Sequence, residues 1–125
     1  MPSQETIYTR FQKIVSRYPD NEALAILHDG RYELISYREL DERVRRFSFA
    51  LVEHGFKTGD KLGILVDNSI EWVTADLACA HLGIIVIPLH TSYNEHYVKQ
   101  VITHSGFKHV VVGEQHADKL AKALQ

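Results

Sequence analysis

Apolar residues recur at helical spacing at Ile7, Phe11, Ile14, Val15 and Tyr18. Pro19 closes that pattern, because it lacks a backbone donor and restricts the residue before it. Two strand-like runs follow, Ala23 to His28 and Arg31 to Ser36, separated by Asp29-Gly30. That pair tolerates the positive φ angles of a tight hairpin, so a β-hairpin is predicted. Ser36 and Glu39 have the spacing of a capping box, in which hydroxyl and carboxylate satisfy reciprocal orphan N–H groups. The stripe Tyr37, Leu40, Val44, Phe47 and Leu51, with Asp41, Glu42, Arg45 and Arg46 off it, predicts a long amphipathic helix. Gly55 is placed to stop it in the left-handed region.

From Lys57 the rhythm changes to strand, helix, strand, helix, strand. Leu62 to Val66, Ile84 to Leu89 and His109 to Val112 are continuous and rich in β-branched residues, the pattern of strands buried on both faces. Ser69 to Leu82, opened by Asn68 with Glu71 three residues on, and Asn94 to His104, closed by Gly106, are the intervening helices. Right-handed crossovers make the sheet parallel. The helix from Ile70 is apolar on most sides, so its Trp72 indole is expected to be mostly buried. A short helix from about His116 to Leu124 ends the chain. The predicted class is α/β: a three-layer, parallel βαβαβ sheet preceded by an amphipathic helix, a β-hairpin and a long helix.

The length of 125 residues gives a prior of one domain, and 45% hydrophobic with 24% charged residues excludes a disordered class. Fourteen basic against sixteen acidic residues leave a formal charge of -2, with no whole-molecule field to gather nucleic acid or an anionic membrane. No apolar run approaches the ~20 residues of a bilayer span. The opening Met1-Pro-Ser-Gln-Glu-Thr6 lacks the basic start and apolar stretch of a secretory signal. A single cysteine, Cys79, forms no internal disulfide and sits among apolar residues, which suits a small core side chain in a reducing, cytoplasmic setting.

No Gly-x-Gly-x-x-Gly follows a strand and no Gly-x-x-x-x-Gly-Lys-Ser/Thr occurs, so the two common backbone cradles for phosphate are missing. Gly55, Gly59 and Gly63 recur every four residues and read as turn punctuation, with Gly59-Asp60 a turn before a strand. Eight histidines form no tight ligand spacing. In an open parallel sheet, ligands bind beyond the carboxyl ends of the strands. That places the candidate site at Asp67 and Asn68, at His90 and Thr91 in the stretch to Tyr93, and at Gly113 to Gln115. The competing reading makes Asn68 a helix cap and Asp67, His90 and Thr91 ordinary loop residues. The residues alone give no complete catalytic constellation.

An ordered series spans nearly the whole chain: Arg17-Tyr18-Pro19-Asp20; Ile35-Ser36-Tyr37-Arg38-Glu39-Leu40; Leu51-x-x-x-Gly55-x-x-x-Gly59-Asp60; Asn68-Ser-Ile-Glu71-Trp72; Asp76-x-Ala78-x-x-x-x-Gly83; Val86-Ile-Pro88-Leu89-His-Thr91; and Ser105-Gly106. It resembles the N-terminal part of AMP-forming acyl-CoA synthetases, and the Asn68 and Pro88 stretches most resemble long-chain fatty-acid–CoA ligases. The resemblance implies a parent enzyme that uses ATP and Mg to join a fatty acid to AMP and then passes the acyl group to CoA. The family's phosphate loop and catalytic lysine have no counterpart among these residues, so no catalytic, cofactor-binding or metal residue is carried over. The isolated chain is therefore expected to be inactive, its partner the rest of a ligase chain. It is also expected to associate with copies of itself through an uncovered sheet edge. A stand-alone α/β binding or interaction module remains the alternative.

Overall fold

The computed structural model describes residues 5–125; the opening Met1–Gln4, read above for a targeting signal, lies outside them. The elements in chain order are α1 (Ile7–Arg17), β1 (Glu22–His28), β2 (Arg31–Ser36), α2 (Tyr37–Glu53), β3 (Lys61–Leu65), α3 (Ile70–Leu82), β4 (Ile85–Pro88), α4 (Glu95–Ser105), β5 (Val110–Val112) and, after a 3-10 turn at Glu114–His116, α5 (Ala117–Ala123). β1 and β2 form the predicted antiparallel hairpin, with Asp29 at φ 49° and Gly30 at φ 79° in its turn. β3 lies centrally in a parallel sheet of order β4-β3-β5.

The first crossover runs from β3 to β4 and the second runs back from β4 past β3 to β5, so their opposite directions across the sheet, with right-handedness, put α3 and α4 on opposite faces. One face carries a core of Tyr8, Phe11, Ile35, Leu40, Val44, Leu51, Leu62, Ile70 and Cys79, joining α1, α2 and α3 to the hairpin and sheet. The other carries Leu65, Leu89, Val98, Phe107, Leu120 and Ala123, contributed largely by β3, α4 and α5. This is the predicted three-layer α/β architecture. Cys79 is fully buried, and burial pushes its thiol up to about 11.

Helix ends follow local chemistry. Ser36 accepts from the Glu39 N–H at 3.1 Å, the forward half of the predicted capping box. The complete reciprocal box is instead at α1, between Thr6 and Thr9, where threonine takes the place of the Glu or Gln that the usual pattern requires. Gly55 (φ 88°) ends α2 as predicted.

Several expectations are corrected. α3 is capped by Ser69, whose hydroxyl accepts from the Trp72 N–H at 3.2 Å; Asn68 is not the cap. α1 turns Tyr8 inward, its ring 4.1 Å from that of His81, while Ile7 is 75% exposed and Tyr18 is also exposed. Only β3 is buried on both faces: β4 and β5 are sheet edges and half-exposed, because a three-stranded sheet has one interior strand. Trp72 is half-buried, since it stands on the first turn of α3, beyond the end of the strands.

Candidate active-site crevice

Each parallel strand delivers a loop to the same edge of the sheet, and the side chains there are set by where each strand stops. β3 ends at Leu65 and releases Val66, Asp67 and Asn68; β4 ends at Pro88 and releases Leu89, His90 and Thr91. Together with Trp72 and Pro88 these residues line a crevice of about 550 Å³. All four residues singled out from sequence, Asp67, Asn68, His90 and Thr91, are brought together on its walls. Val66, Pro88 and buried Leu89 add apolar lining, and Trp72 an aromatic one.

The segment after β5 ties both rims of this crevice. Asp67 accepts from Gln115 Nε2 at one carboxylate oxygen and meets His116 Nε2 at 3.0 Å with the other. Lys119 Nζ donates to the carbonyls of Thr91 and Tyr93, which holds the loop after β4. His90 packs edge-on against Tyr93, with ring centroids 5.1 Å apart, and Tyr93 in turn against Tyr97 at 4.5 Å. The His116 and Gln115 bonds, with a smaller contribution from the Thr91 hydroxyl, hold the Asp67 carboxyl below the usual carboxylate range, although what burial it has works the other way.

That depression has a testable consequence. A carboxylate with a lower pKa in the folded than in the unfolded chain stabilises the fold above its unfolded pKa, and the contribution disappears as pH falls through the folded value. Asp67→Asn is expected to lower the urea midpoint at about pH 7, and the gap from the parent chain should narrow as pH falls below the ordinary aspartate pKa of about 3.9. A gap that stays constant as the solution is acidified through and beyond that range would show that these bonds do not favour the charged form of Asp67.

Gln115 lies in the strand-end stretch read from sequence, but His116 and Lys119 were missed. Their signal is absent from local pattern: both belong to the last helical segment and reach the site only because β5 lies beside β3. A second hollow, of about 370 Å³, lies at the opposite end of the sheet between His54, Phe56, Lys61, Phe107, Lys108 and His109. Lys61 there donates to the Ser105 carbonyl at 2.8 Å and so caps α4. Among the described residues no group of three or more His, Cys, Asp and Glu side chains is arranged to hold a metal, and no helix is long and apolar enough to cross a membrane.

A parallel α/β subdomain with its crevice at the strand ends is the setting of nucleotide-handling enzymes, and residues 11–125 match the AMP-binding enzyme family model: the chain belongs to the AMP-binding enzymes. It is 34% identical over 99 residues to a mitochondrial medium-chain acyl-CoA ligase of Mus musculus, covering 79% of this chain and 16% of that one. It is 32% identical over 103 residues to the 3-oxocholest-4-en-26-oate–CoA ligase of Rhodococcus rhodochrous, covering 82% and 18%. The chain thus spans about a sixth of the length of these relatives. Among solved structures, the N-terminal subdomain of NpsA from Klebsiella oxytoca, in complex with 3-hydroxyanthranilyl-AMSN, superposes with a TM-score of 0.78 at 26% identity, over 88% of this chain and 27% of that one. The N-terminal domain of FACL13 from Mycobacterium tuberculosis has the same fold, with a TM-score of 0.86 at 21% identity over 95% and 29%.

The ATP and Mg implied by the family need convergent backbone N–H groups, cationic side chains or free carboxylates. The crevice residues do not fit that group: no Lys or Arg lines it, and both oxygens of Asp67, its one carboxylate, are already engaged.

Proposed function

We propose that residues 1–125 form the N-terminal subdomain of an AMP-forming ligase that activates a carboxylic acid with an apolar tail and transfers its acyl group to CoA. The observation that carries this reading is the family match over residues 11–125, which runs through both cores and every strand of the parallel sheet. The medium-chain and steroid-acid ligases among the relatives support an apolar acid as substrate class, and a fatty acid is the simplest member. Within such an enzyme this subdomain contributes scaffold: the central β3, buried from Leu62 to Leu65, and loops fixed at the strand ends by Lys119, His116 and Gln115. ATP, Mg and CoA would be held by residues of the remaining ligase chain.

The test is carboxylate-dependent exchange of labelled pyrophosphate into ATP, measured for the 125-residue chain alone and for the product of the longer reading frame that carries it. The chain alone is expected to show no exchange above a contaminant control, and the longer product to exchange with fatty acids. Exchange by the isolated chain would overturn its assignment as scaffold. A longer product inert toward every apolar acid would overturn the ligase reading.

A further inference from the structure

Aromatic, amide and hydroxyl groups dominate the crevice at the strand ends. Its lining includes the ring-bearing Trp72 and His90, Asn68 with its carboxamide and Thr91 with its hydroxyl, together with the apolar Val66, Pro88 and Leu89. The nearby cation, Lys119, is turned onto the Thr91 and Tyr93 carbonyls and does not line the cavity. Asp67 is on the wall as a carboxylate, its two oxygens held in place by Gln115 and His116. An anion entering here would meet that like charge with no lysine or arginine to offset its lost hydration. A flat apolar ring would gain contact with the indole and the aliphatic lining, and a neutral amide or similar edge could pair with the donor and acceptor of Asn68.

We infer that this crevice is a binding subsite for an uncharged planar aromatic ring with a polar, hydrogen-bonding edge, and that Asp67 sets its selectivity by excluding anions of the same shape. In this subsite Asp67 is a specificity residue: its bonds to His116 and Gln115 hold the negative charge at the rim. The inference concerns the ligand chemistry of the crevice and stands apart from the ligase reading, which pyrophosphate exchange tests separately.

Trp72 is the only tryptophan in the chain, so its indole N–H gives one NMR resonance and reports directly on the crevice wall. Benzamide and benzoate form a matched pair of probes, nearly identical in shape and different in charge. At about pH 8, above the ordinary range of imidazole titration, benzamide is expected to shift the Trp72 resonance saturably, and benzoate to bind several-fold more weakly. Asp67→Asn should remove most of that difference by strengthening benzoate. Asn68→Ala, at an exposed position that caps no helix, should weaken benzamide while leaving the melting temperature near that of the parent chain. Equal affinity for the two probes, no saturable shift with benzamide, or a preference for benzamide that survives in Asp67→Asn would each overturn the inference.

Discussion

Gly63→Val is expected to destabilise the chain severely, by about 3 kcal/mol, the upper end of the range for overpacking a core. Gly63 occupies the middle of β3, and its position in the strand reads as a weakness that a β-branched residue would cure. The packing reverses that sign. A Cβ built at Gly63 would stand 2.6 Å from Cε2 and 2.8 Å from Cζ of Phe107, whose ring is 7% exposed and is held within the core around Leu65 and Val98. Valine adds two further methyl groups to that collision. Even Gly63→Ala, which in an open strand would stabilise by reducing the freedom of the unfolded chain, is expected to lower the urea midpoint. Phe107→Leu should partly relieve the substitution, so the double variant Gly63→Val/Phe107→Leu is predicted to be more stable than the sum of the single losses. Strict additivity, or a Gly63→Ala variant more stable than the parent, would show that the ring yields at no cost.

Ile64→Ala is expected to cost about 2–5 kcal/mol, the range for truncating a fully buried aliphatic side chain. Ile64 has no exposed surface and lies in the interior strand of the parallel sheet, hydrogen-bonded on both sides and pairing with Pro88 and Val111. By strand alternation it points with Leu62 toward the layer of α2 and α3, while Gly63 and Leu65 face α4. The surrounding backbone is fixed by two ladders, so the space left by the lost atoms cannot close by strand movement. That favours the upper half of the range. Thermal or urea denaturation of Ile64→Ala beside Ile85→Ala makes the comparison: Ile85 is on the β4 edge and 49% exposed, and should lose much less. Similar losses at the two positions would contradict the assignment of β3 as the interior strand.

The sequence determined those parts of the protein that depend on neighbours a few residues apart. The Asp29-Gly30 turn was legible because both residues must adopt positive φ, and the stripe of α2 because its burial follows from a single 3.6-residue period. Parallel direction and the site edge also followed, since a βαβ rhythm leaves one handedness and one loop-bearing end, whereas the order β4-β3-β5 did not. For that reason Asp67, Asn68, His90 and Thr91 could be named before their contacts were known.

Only the tertiary structure decided what depends on residues far apart in the chain. Gly63 reads like Gly55 and Gly59, yet those two stand at φ 88° and 93° in turns, whereas Gly63 is a glycine because Phe107 takes the space of its side chain. The half-exposure of β4 and β5 reflects the number of strands in the sheet, which no individual strand encodes. Trp72 looked like a core residue by its neighbours, but its turn of α3 projects past the strands and makes it a wall of the crevice. The anchoring of Asp67 comes from Gln115 and His116, separated from it by 48 and 49 positions. Periodicity reports which face a residue occupies, and long-range packing determines what meets it there.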